Sequence, residues 1–447
     1  MEILAARALL EEGWAQDVRI CIRDGVIDRI EKELGPQPSG ESVDILVAGM
    51  PNLHSHAFQR AMAGLAEVRG TVADSFWSWR SLMYQLALTM TPDQMEAVAA
   101  KVYMEMLEAG FTRVGEFHYL HHDKDGRAYA NIAEHAERIA EAAADTGINL
   151  TLLPVFYAHS NFGGVAPVDG QRRFIHTLDA FSDLMEASER AIKPLRNSNL
   201  GLALHSLRAV TPAELQRLVE RHGDGPIHIH IAEQAKEVSD CLAWSGARPV
   251  EWLLANAPVD ARWCLIHATH MTQSETLGMA ASGALAGLCP ITEANLGDGI
   301  FPAETFLQAA GNFGIGSDSN ISISVAHELR QLEYSQRLRA QARNVIAEPG
   351  QSTGRKLYEK ALLGGNAALG HHAVVRPGAA ADLVSLRADA VFVRHADQLL
   401  DHWVFGDGVT VDSVWAAGIK CVADGRHIAR DVIVKRFRLA METLMDC

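Results

Sequence analysis

Residues 201–233 of this 447-residue chain have the sequence GLALHSLRAVTPAELQRLVERHGDGPIHIHIAE and contain one complete strand–helix–strand unit. Gly201 to His205 and Pro226 to Ala232 are short apolar runs, which are typical of strands buried on both faces of a parallel sheet. Between them, Thr211-Pro212-Ala213-Glu214 is a capping box with proline at the first helical position, so a helix is expected to begin there. This stretch therefore predicts a parallel α/β architecture.

Apolar runs of the same kind recur along the middle of the chain. Two further capping boxes, Thr91 to Gln94 and Thr272 to Glu275, predict helix starts between them. Eight strands alternating with helices over roughly 320 residues favour a (β/α)8 barrel over an open sheet. The predicted strands are Ile45 to Val47, Thr112 to Phe117, Leu150 to Phe156, Gly201 to His205, Pro226 to Ala232, Trp263 to His267, Ala284 to Cys289 and Phe313 to Asp318.

Both ends of the chain show a different pattern, in which short strands are separated by turns. These strands are predicted at Val18 to Ile22, Gly25 to Ile27, Ala381 to Leu386, Val411 to Val414 and Ile419 to Val422. We expect the two ends to form one small β-sandwich domain from residues 1–48 and 371–447. The remaining residues, 49–370, would form the catalytic barrel.

The composition restricts the class of partner. Forty Lys and Arg against 55 Asp and Glu give a net charge of −15, which argues against a nucleic-acid partner because phosphates would be repelled. No run approaches the ~20 apolar residues of a membrane span, and Met1 to Trp14 lack the basic region of a signal peptide. Six cysteines without CxxC pairing predict reduced thiols. A cytoplasmic enzyme is the expectation.

Histidines and carboxylates gather at the C-terminal ends of the predicted strands, where a (β/α)8 barrel places its active site. His54 and His56 follow the first strand at a spacing that lets both side chains face one ion. His230 and Glu233 lie at the end of the fifth strand. Each of these residues alone is compatible with a buried core or surface position, but their convergence at one rim predicts a metal site.

The sixth and eighth strands complete this set with His267 and Asp318. Three neutral imidazoles (His54, His56 and His230) and the Asp318 carboxylate suit one divalent ion, most often zinc. A further position would hold a water whose pKa the metal lowers. The sequence therefore predicts hydrolysis at an sp² carbon that carries nitrogen.

Three of these side chains are predicted to be catalytic. Asp318 would accept the proton of the attacking water, and His267 would hydrogen-bond the attacking oxygen or the tetrahedral intermediate. Glu233 would carry protons to the departing nitrogen, since a carboxylate that does not join the metal can shuttle them.

These motifs resemble the amidohydrolase superfamily, in the branch of mononuclear deaminases. That branch has His-x-His after strand one, His-x-x-Glu at strand five, His at strand six and Asp at strand eight, all present here. The strand Gly201 to His205 lacks the lysine that bridges two metals in dinuclear members, which favours one ion. The return from Gly364 to Val384 also looks like that superfamily.

Within the branch, the chain is most similar to the N-formimino-L-glutamate deiminase family. Four stretches carry this likeness: Asn52 to Met62, Phe76 to Arg80, His205 to Val210 and Thr292 to Gly299. The resemblance implies hydrolysis of N-formimino-L-glutamate to N-formyl-L-glutamate and ammonia in histidine degradation, and a homodimer. It also implies substrate contacts from Gln59, Arg80, Tyr119, His205 and Arg208.

The arginines offer a physical test of this likeness. A small dicarboxylate entering a protein of net charge −15 needs local cations, and a guanidinium binds a carboxylate through a bidentate fork. Arg80 and Arg208 are candidates, although each could also be a surface arginine packing on apolar neighbours, and Tyr119 could be a half-buried aromatic. The alternatives left open are a mononuclear amidohydrolase that deaminates a nucleobase or nucleoside analogue, and an inactive scaffold on the same fold.

Overall fold

Residues 1–32, 40–69, 76–388 and 395–445 are described by the structure, a computed structural model. Its strands are β1 Glu2–Leu10, β2 Gly13–Arg23, β3 Val26–Glu31, β4 Glu41–Ala48, β5 Met50–Ser55, β6 Phe111–His118, β7 Asn149–Phe156, β8 Asn199–Leu200, β9 Leu202–Ser206, β10 Ile227–Ile231, β11 Trp263–His267, β12 Leu285–Leu288, β13 Asn312–Ile315, β14 Leu383–Ala388, β15 Val409–Ala416, β16 Ile419–Ala423 and β17 Arg426–His427.

Helices alternate with the strands through the middle of the chain and also follow the terminal strands. They are α1 Phe76–Thr89, α2 Pro92–Glu108, α3 Glu134–Thr146, α4 Leu178–Ile192, α5 Pro212–His222, α6 Ala235–Ser245, α7 Pro249–Asn256, α8 Gln273–Ser282, α9 Pro290–Leu296, α10 Ala303–Gln308, α11 Val325–Ala340, α12 Thr353–Ala368, α13 Gln398–Phe405 and α14 Arg430–Met445. Two 3₁₀ helices span Ala57–Met62 and Asp169–Gln171.

The predicted (β/α)8 barrel is confirmed. Strands β5, β6, β7 and β9 to β13 pair side by side in chain order, and the short β8 adds to β7. A parallel bridge between Ser55 and Asp318 joins the last strand back to the first. All residues of β6, β7, β10 and β11 are buried, as expected of parallel strands covered by helices on one side and by the barrel interior on the other.

The predicted helix starts are also confirmed. Thr91, Thr211 and Thr272 each accept a hydrogen bond from the backbone three residues on, and the side chain at that position returns one to the threonine N–H. These reciprocal bonds satisfy donors that a helix leaves unpaired at its first turn.

The first predicted barrel strand is wrong. Ile45 to Val47 lies in β4, which pairs with β1 and β14 outside the barrel. The barrel begins with β5 instead, so His54 lies within a strand rather than after it. The apolar run continues across Gly49, where the chain passes from one sheet to the other and where an added Cβ would overlap the Thr112 side chain.

The predicted small β domain formed from both termini is confirmed. Strands β1 to β4 and β14 to β17 form one hydrogen-bonded sheet of eight strands, in which β4 lies between β1 and β14. Two helices, α13 and α14, accompany its C-terminal strands, where the sequence analysis predicted strands alone. Helix α14 is tied to the barrel through ion pairs of Arg436 with Glu96 and of Arg430 with Glu108.

Two further expectations concern the cysteines and the hydropathy of the helices. Cys21, Cys241, Cys264, Cys289 and Cys421 are buried free thiols, and Cys447 lies outside the described residues. In the described ranges, every helix is too short or too polar to cross a membrane bilayer.

Asp382 connects the terminal sheet to the barrel. Its carboxylate accepts hydrogen bonds from Asn149 Nδ2 at 2.8 Å, His371 Nε2 at 2.8 Å and the Ala417 N–H at 2.6 Å. Burial raises the pKa of this carboxyl, but the hydrogen bond and charge of His371 and the charge of Arg113 bring the pKa below its usual value. Asp382 is therefore an ionised buried group with several partners, whose removal leaves those partners unsatisfied.

We predict that Asp382→Ala lowers the free energy of unfolding by about 3 to 5 kcal/mol, because the buried donors lose their acceptor. Urea denaturation followed by circular dichroism measures the change. Asp183→Ala, at an exposed position of α4, is the control and should stay within about 0.5 kcal/mol of the parent. Equal denaturation midpoints for both variants would contradict this role of Asp382.

Candidate metal and active site

The closure of the barrel brings three of the predicted metal-binding residues together. The Asp318 N–H donates to the His54 carbonyl at 3.0 Å, and the His56 N–H donates to the Asp318 carbonyl at 3.0 Å. The carboxylate of Asp318 is consequently held beside both rings, with Oδ1 at 3.5 Å from His54 Nε2 and 3.3 Å from His56 Nε2.

The ring orientations suit a cation. The Nδ1 atoms of His56 and His230 lie 2.9 Å and 2.8 Å from the carbonyls of Phe117 and His205, so each Nδ1 carries the proton and each Nε2 has a free lone pair. Burial lowers the pKa of His54, His56 and His230, which keeps these rings neutral.

Two Nε2 atoms face each other within this group. His230 Nε2 lies 3.0 Å from His54 Nε2, an arrangement that is repulsive when both nitrogens present lone pairs and favourable when both bind one cation. The donor set of three imidazoles and one carboxylate also matches the preferences of a borderline divalent ion. The residues present therefore fit a single divalent metal.

Other ligand combinations lie close by. The ligand atoms of His54, His230 and His267 are within 4.8 Å of one another, and so are those of His267, Cys289 and Asp318. Cys289 follows β12 at the floor of this group, and the sequence analysis gave it no role. Burial raises the pKa of its thiol well above the usual value, so Cys289 is a poorer ligand than the neutral imidazoles.

Two predicted proton-handling residues flank Asp318. His267 Nε2 lies 3.8 Å from both Asp318 Oδ2 and Glu233 Oε1. Burial alone lowers the pKa of His267, but the negative charges of Glu233 and Asp318 and the hydrogen bond to Glu293 raise it to about 10. Burial raises the pKa of Glu233 to about 7, which suits a group that takes up and releases a proton near neutral pH.

The backbone turns sharply where these side chains are presented. Ala232, His267 and Asp318 have φ angles of 50°, 67° and 46°, a left-handed conformation that costs non-glycine residues of order 1–3 kcal/mol each. Asn320 holds the last of these turns, because its Nδ2 donates to the Asp318 carbonyl at 3.0 Å and to the His56 carbonyl at 3.2 Å. Strain at these strand ends is typical of functional sites.

All the site residues predicted from the sequence lie around one cavity or in its floor. The space between the atoms that line it is about 550 Å³, its open mouth included. Its walls include Gln59, Arg80, Tyr119, His205 and Arg208 together with His56, His230, Glu233, His267 and Asp318. His54 lies beneath them and is fully buried.

The polar wall of this cavity includes a pair of predicted substrate contacts. Gln59 Nε2 donates to the Tyr119 hydroxyl at 2.9 Å, and Gln59 Oε1 is buried with no hydrogen-bond partner among the described residues. Tyr119 is fully buried rather than half-buried. Burial and the neighbouring charge of Arg208 lower the pKa of His205, so its ring is neutral. These groups can donate to or accept from a polar ligand.

Two guanidinium groups form the cationic wall. The Cζ atoms of Arg80 and Arg208 lie 4.4 Å and 5.9 Å from the centre of the Trp77 ring. Arg208 is only 7% exposed, and no residue in the described part of the chain accepts a hydrogen bond from its buried Nε. Burial alone lowers the pKa of Arg208, but the charge of Glu237 and its other neighbours raise it, so the cation persists inside the cavity.

Sequence reasoning missed several residues around the site. Phe76, Tyr84, Tyr157 and Phe174 line the cavity, and their positions depend on α1 and on loops that strand patterns do not specify. Glu293 accepts a hydrogen bond from His267 Nδ1 at 3.3 Å. The stretch Thr292 to Gly299 carries part of the family likeness, but the sequence alone assigns no role to Glu293.

Four further histidines lie outside the cavity wall. His228 is fully buried, and its Nε2 is 2.7 Å from the Ala368 carbonyl. His118 at the end of β6 is buried, as are His121 and His122 after it, and these three belong to none of the groups of potential ligands.

Family models match nearly the whole chain. The amidohydrolase family matches residues 45–420, and the model described as "Formimidoylglutamate deiminase HutF, N-terminal domain" matches residues 1–43. Over 451 aligned residues the chain is 50% identical to a formimidoylglutamate deiminase of Pseudomonas aeruginosa, with 99% of each sequence covered.

Solved structures agree with these matches. An amidohydrolase from Brucella melitensis superposes with a TM-score of 0.97 at 56% identity and covers 99% of both chains. An adenosine deaminase from Xanthomonas campestris with bound zinc has a TM-score of 0.81 at 21% identity, over 100% of this chain and 98% of that one, which shows the fold alone. The chain belongs to the amidohydrolase family and, within it, to the formimidoylglutamate deiminases.

Proposed function

We propose that the chain hydrolyses the formimino C–N bond of N-formimino-L-glutamate and releases N-formyl-L-glutamate and ammonia, a step of histidine degradation. The observation that carries the proposal is the pair of guanidinium groups, Arg80 and Arg208, in the same cavity as the converging imidazoles. A glutamate-derived substrate brings two carboxylates, which arginine binds through paired hydrogen bonds. The identity to the Pseudomonas aeruginosa enzyme supports the same substrate.

His54, His56, His230 and Asp318 would hold one divalent ion, for which we propose zinc. The ligand types support this assignment, and zinc is bound in the Xanthomonas campestris relative. When bound, the ion would polarise water toward attack on the formimino carbon.

Side chains of the protein would transfer the protons in this reaction. Asp318 Oδ2 faces His267 and can take the proton of the attacking water, while His267 Nε2 can donate to the attacking oxygen. Glu233, which lies beside His267, can deliver a proton to the departing nitrogen. Phe76, Tyr84 and Phe174 narrow the cavity around the substrate, so that bulk water is excluded from these transfers.

The alternative substrate, a nucleobase or nucleoside analogue, fits this cavity less well. Such a ligand would offer no carboxylate to the two guanidinium groups that line the cavity, so the paired hydrogen bonds available from Arg80 and Arg208 would go unused. An inactive scaffold is disfavoured by the presence of every predicted ligand and proton-handling residue around the cavity.

Several sequence predictions stay predictions. A cytoplasmic location follows from the reduced cysteines, and the homodimer follows from the family resemblance alone. Two further sequence predictions also stay predictions. They are the division of the chain into residues 49–370 and residues 1–48 plus 371–447, and the lack of a nucleic-acid or membrane partner.

Removal of the metal should abolish turnover. We expect metal-replete protein to release ammonia from N-formimino-L-glutamate, and protein stripped by a chelator to lose at least about 100-fold in rate. Added zinc should restore the rate after the chelator has been dialysed away. A stripped protein with the full rate, verified as metal-free by elemental analysis, would contradict the metal-dependent reaction.

Loss of either arginine should impair substrate binding more than chemistry. For Arg80→Gln and Arg208→Gln we expect KM to rise at least about 30-fold, the equivalent of about 2 kcal/mol, because a charge-assisted bond to a carboxylate is lost. Metal content should not change. Arg217→Gln, at an exposed position of α5, serves as the control. Unchanged KM values in both arginine variants would remove the basis for a dicarboxylate substrate.

Glu233→Gln should impair chemistry instead. The amide cannot carry a proton to the leaving nitrogen, so we expect kcat to fall about 10²- to 10⁴-fold with little change in KM. Steady-state ammonia release measures both constants. The exposed Glu189 supplies the control Glu189→Gln, and a Glu233→Gln enzyme with the kcat of that control would eliminate the proposed shuttle.

A further inference from the structure

Glu293 lies directly behind His267, on the side away from the reacting groups. Its side chain is buried, and its Oε1 atom accepts hydrogen bonds from His267 Nδ1 at 3.3 Å and from the Cys289 N–H at 2.9 Å. The opposite nitrogen of the same ring, His267 Nε2, faces Glu233 and Asp318. Glu293 thus contacts the reaction machinery only through the imidazole of His267.

The backbone at His267 makes such support necessary. His267 and Ala268 both have left-handed φ angles, 67° and 47°, so β11 ends at the residue that must present its ring to the cavity. A carboxylate acceptor beside Nδ1 keeps a hydrogen on that nitrogen and fixes the plane of the ring, so that Nε2 faces the cavity. Because the acceptor is charged, this hydrogen bond is stronger than one to a neutral group.

We propose that Glu293 is a positioning residue for the deimination reaction, which holds the His267 ring with Nδ1–H toward α9 and Nε2 toward the reacting atoms. The inference rests on the proposed function. It assigns a role to a residue whose own side chain does not line the reaction cavity.

A purely structural role is the competing explanation. Glu293 is the fourth residue of α9, which begins at Pro290, and its carboxylate accepts from the N–H of Cys289, the residue that precedes the helix. Its loss could therefore weaken the start of the helix and nothing else. The experiment must separate that effect from the orientation of His267.

The fold contains a matched control for this purpose. Glu214, the third residue of α5, makes comparable hydrogen bonds, since its Oε2 accepts from the Thr211 N–H at 2.8 Å and lies 2.9 Å from His159 Nε2. Glu214 and His159 do not line the reaction cavity. The same substitution at Glu214 therefore removes the same kinds of hydrogen bond away from the reaction.

A second cavity makes a rescue experiment possible. A space of about 690 Å³, its open mouth included, is lined by Glu293, Pro290 and Phe301 among other residues. Because Glu293 itself lines this space, we expect a small carboxylate such as formate to enter the position of the missing side chain when Glu293 is shortened to alanine. A residue needed only for helix stability would not give a formate-dependent rate.

The first arm compares Glu293→Gln with Glu214→Gln in ammonia release from N-formimino-L-glutamate. We expect kcat of Glu293→Gln to fall about 10- to 100-fold while KM, bound metal and Tm stay at the parent values. Glu293→Asp, which keeps the charge, should recover part of the loss, and Glu214→Gln should keep the parent kcat. A Glu293→Gln enzyme within twofold of the parent kcat, or one whose loss tracks lost metal or Tm, would overturn the inference.

The second arm adds formate to Glu293→Ala, with the parent enzyme in the same buffers as reference. A saturable rise in kcat for Glu293→Ala alone supports the positioning role, and no rise beyond the parent response counts against it. The parent enzyme distinguishes a failure of the proposed function from a failure of the proposed role of Glu293. If it releases no ammonia from this substrate, the proposed function fails; if it does and Glu293→Gln matches it, only the role of Glu293 fails.

Discussion

The barrel closes through two reciprocal backbone hydrogen bonds, from the Asp318 N–H to the His54 carbonyl and from the His56 N–H to the Asp318 carbonyl. These bonds unite the first and last barrel strands at their C-terminal ends. They also fix the Asp318 carboxylate beside two imidazoles, because Asp318 adopts a left-handed backbone at that point. The same backbone hydrogen bonds therefore close the barrel and bring His54, His56 and Asp318 of the candidate metal site together.

The cavity has two electrostatically different regions, a floor of neutral imidazoles and a wall that carries positive charge. At its floor, burial keeps the imidazoles of His54, His56 and His230 neutral, as metal binding requires. At its wall, the Arg80 and Arg208 guanidinium groups surround Trp77 and supply positive charge within a protein of net charge −15. The proposed dicarboxylate substrate would therefore meet positive charge inside a predominantly anionic protein, where buried charges are less screened than exposed ones.

The sequence predicted the parts of this structure that depend on local patterns. Capping boxes located helix starts, and histidine spacing indicated which strand ends bring their side chains to one cavity. The boundary at Gly49 could not be found because apolar residues continue on both sides of it and only packing against Thr112 marks the change of sheet. Glu293 could not be assigned because its partner, His267, lies 26 residues away and meets it only after β11 and α9 are packed.

The most direct test of the account is a crystal structure of the metal-replete protein with anomalous diffraction recorded on both sides of the zinc absorption edge. The account predicts one anomalous peak within coordinating distance of the Nε2 atoms of His54, His56 and His230 and of an Asp318 carboxylate oxygen. A peak bound instead by His267, Cys289 and Asp318, the competing group of ligands, would contradict it, as would fully occupied metal anywhere outside this cavity.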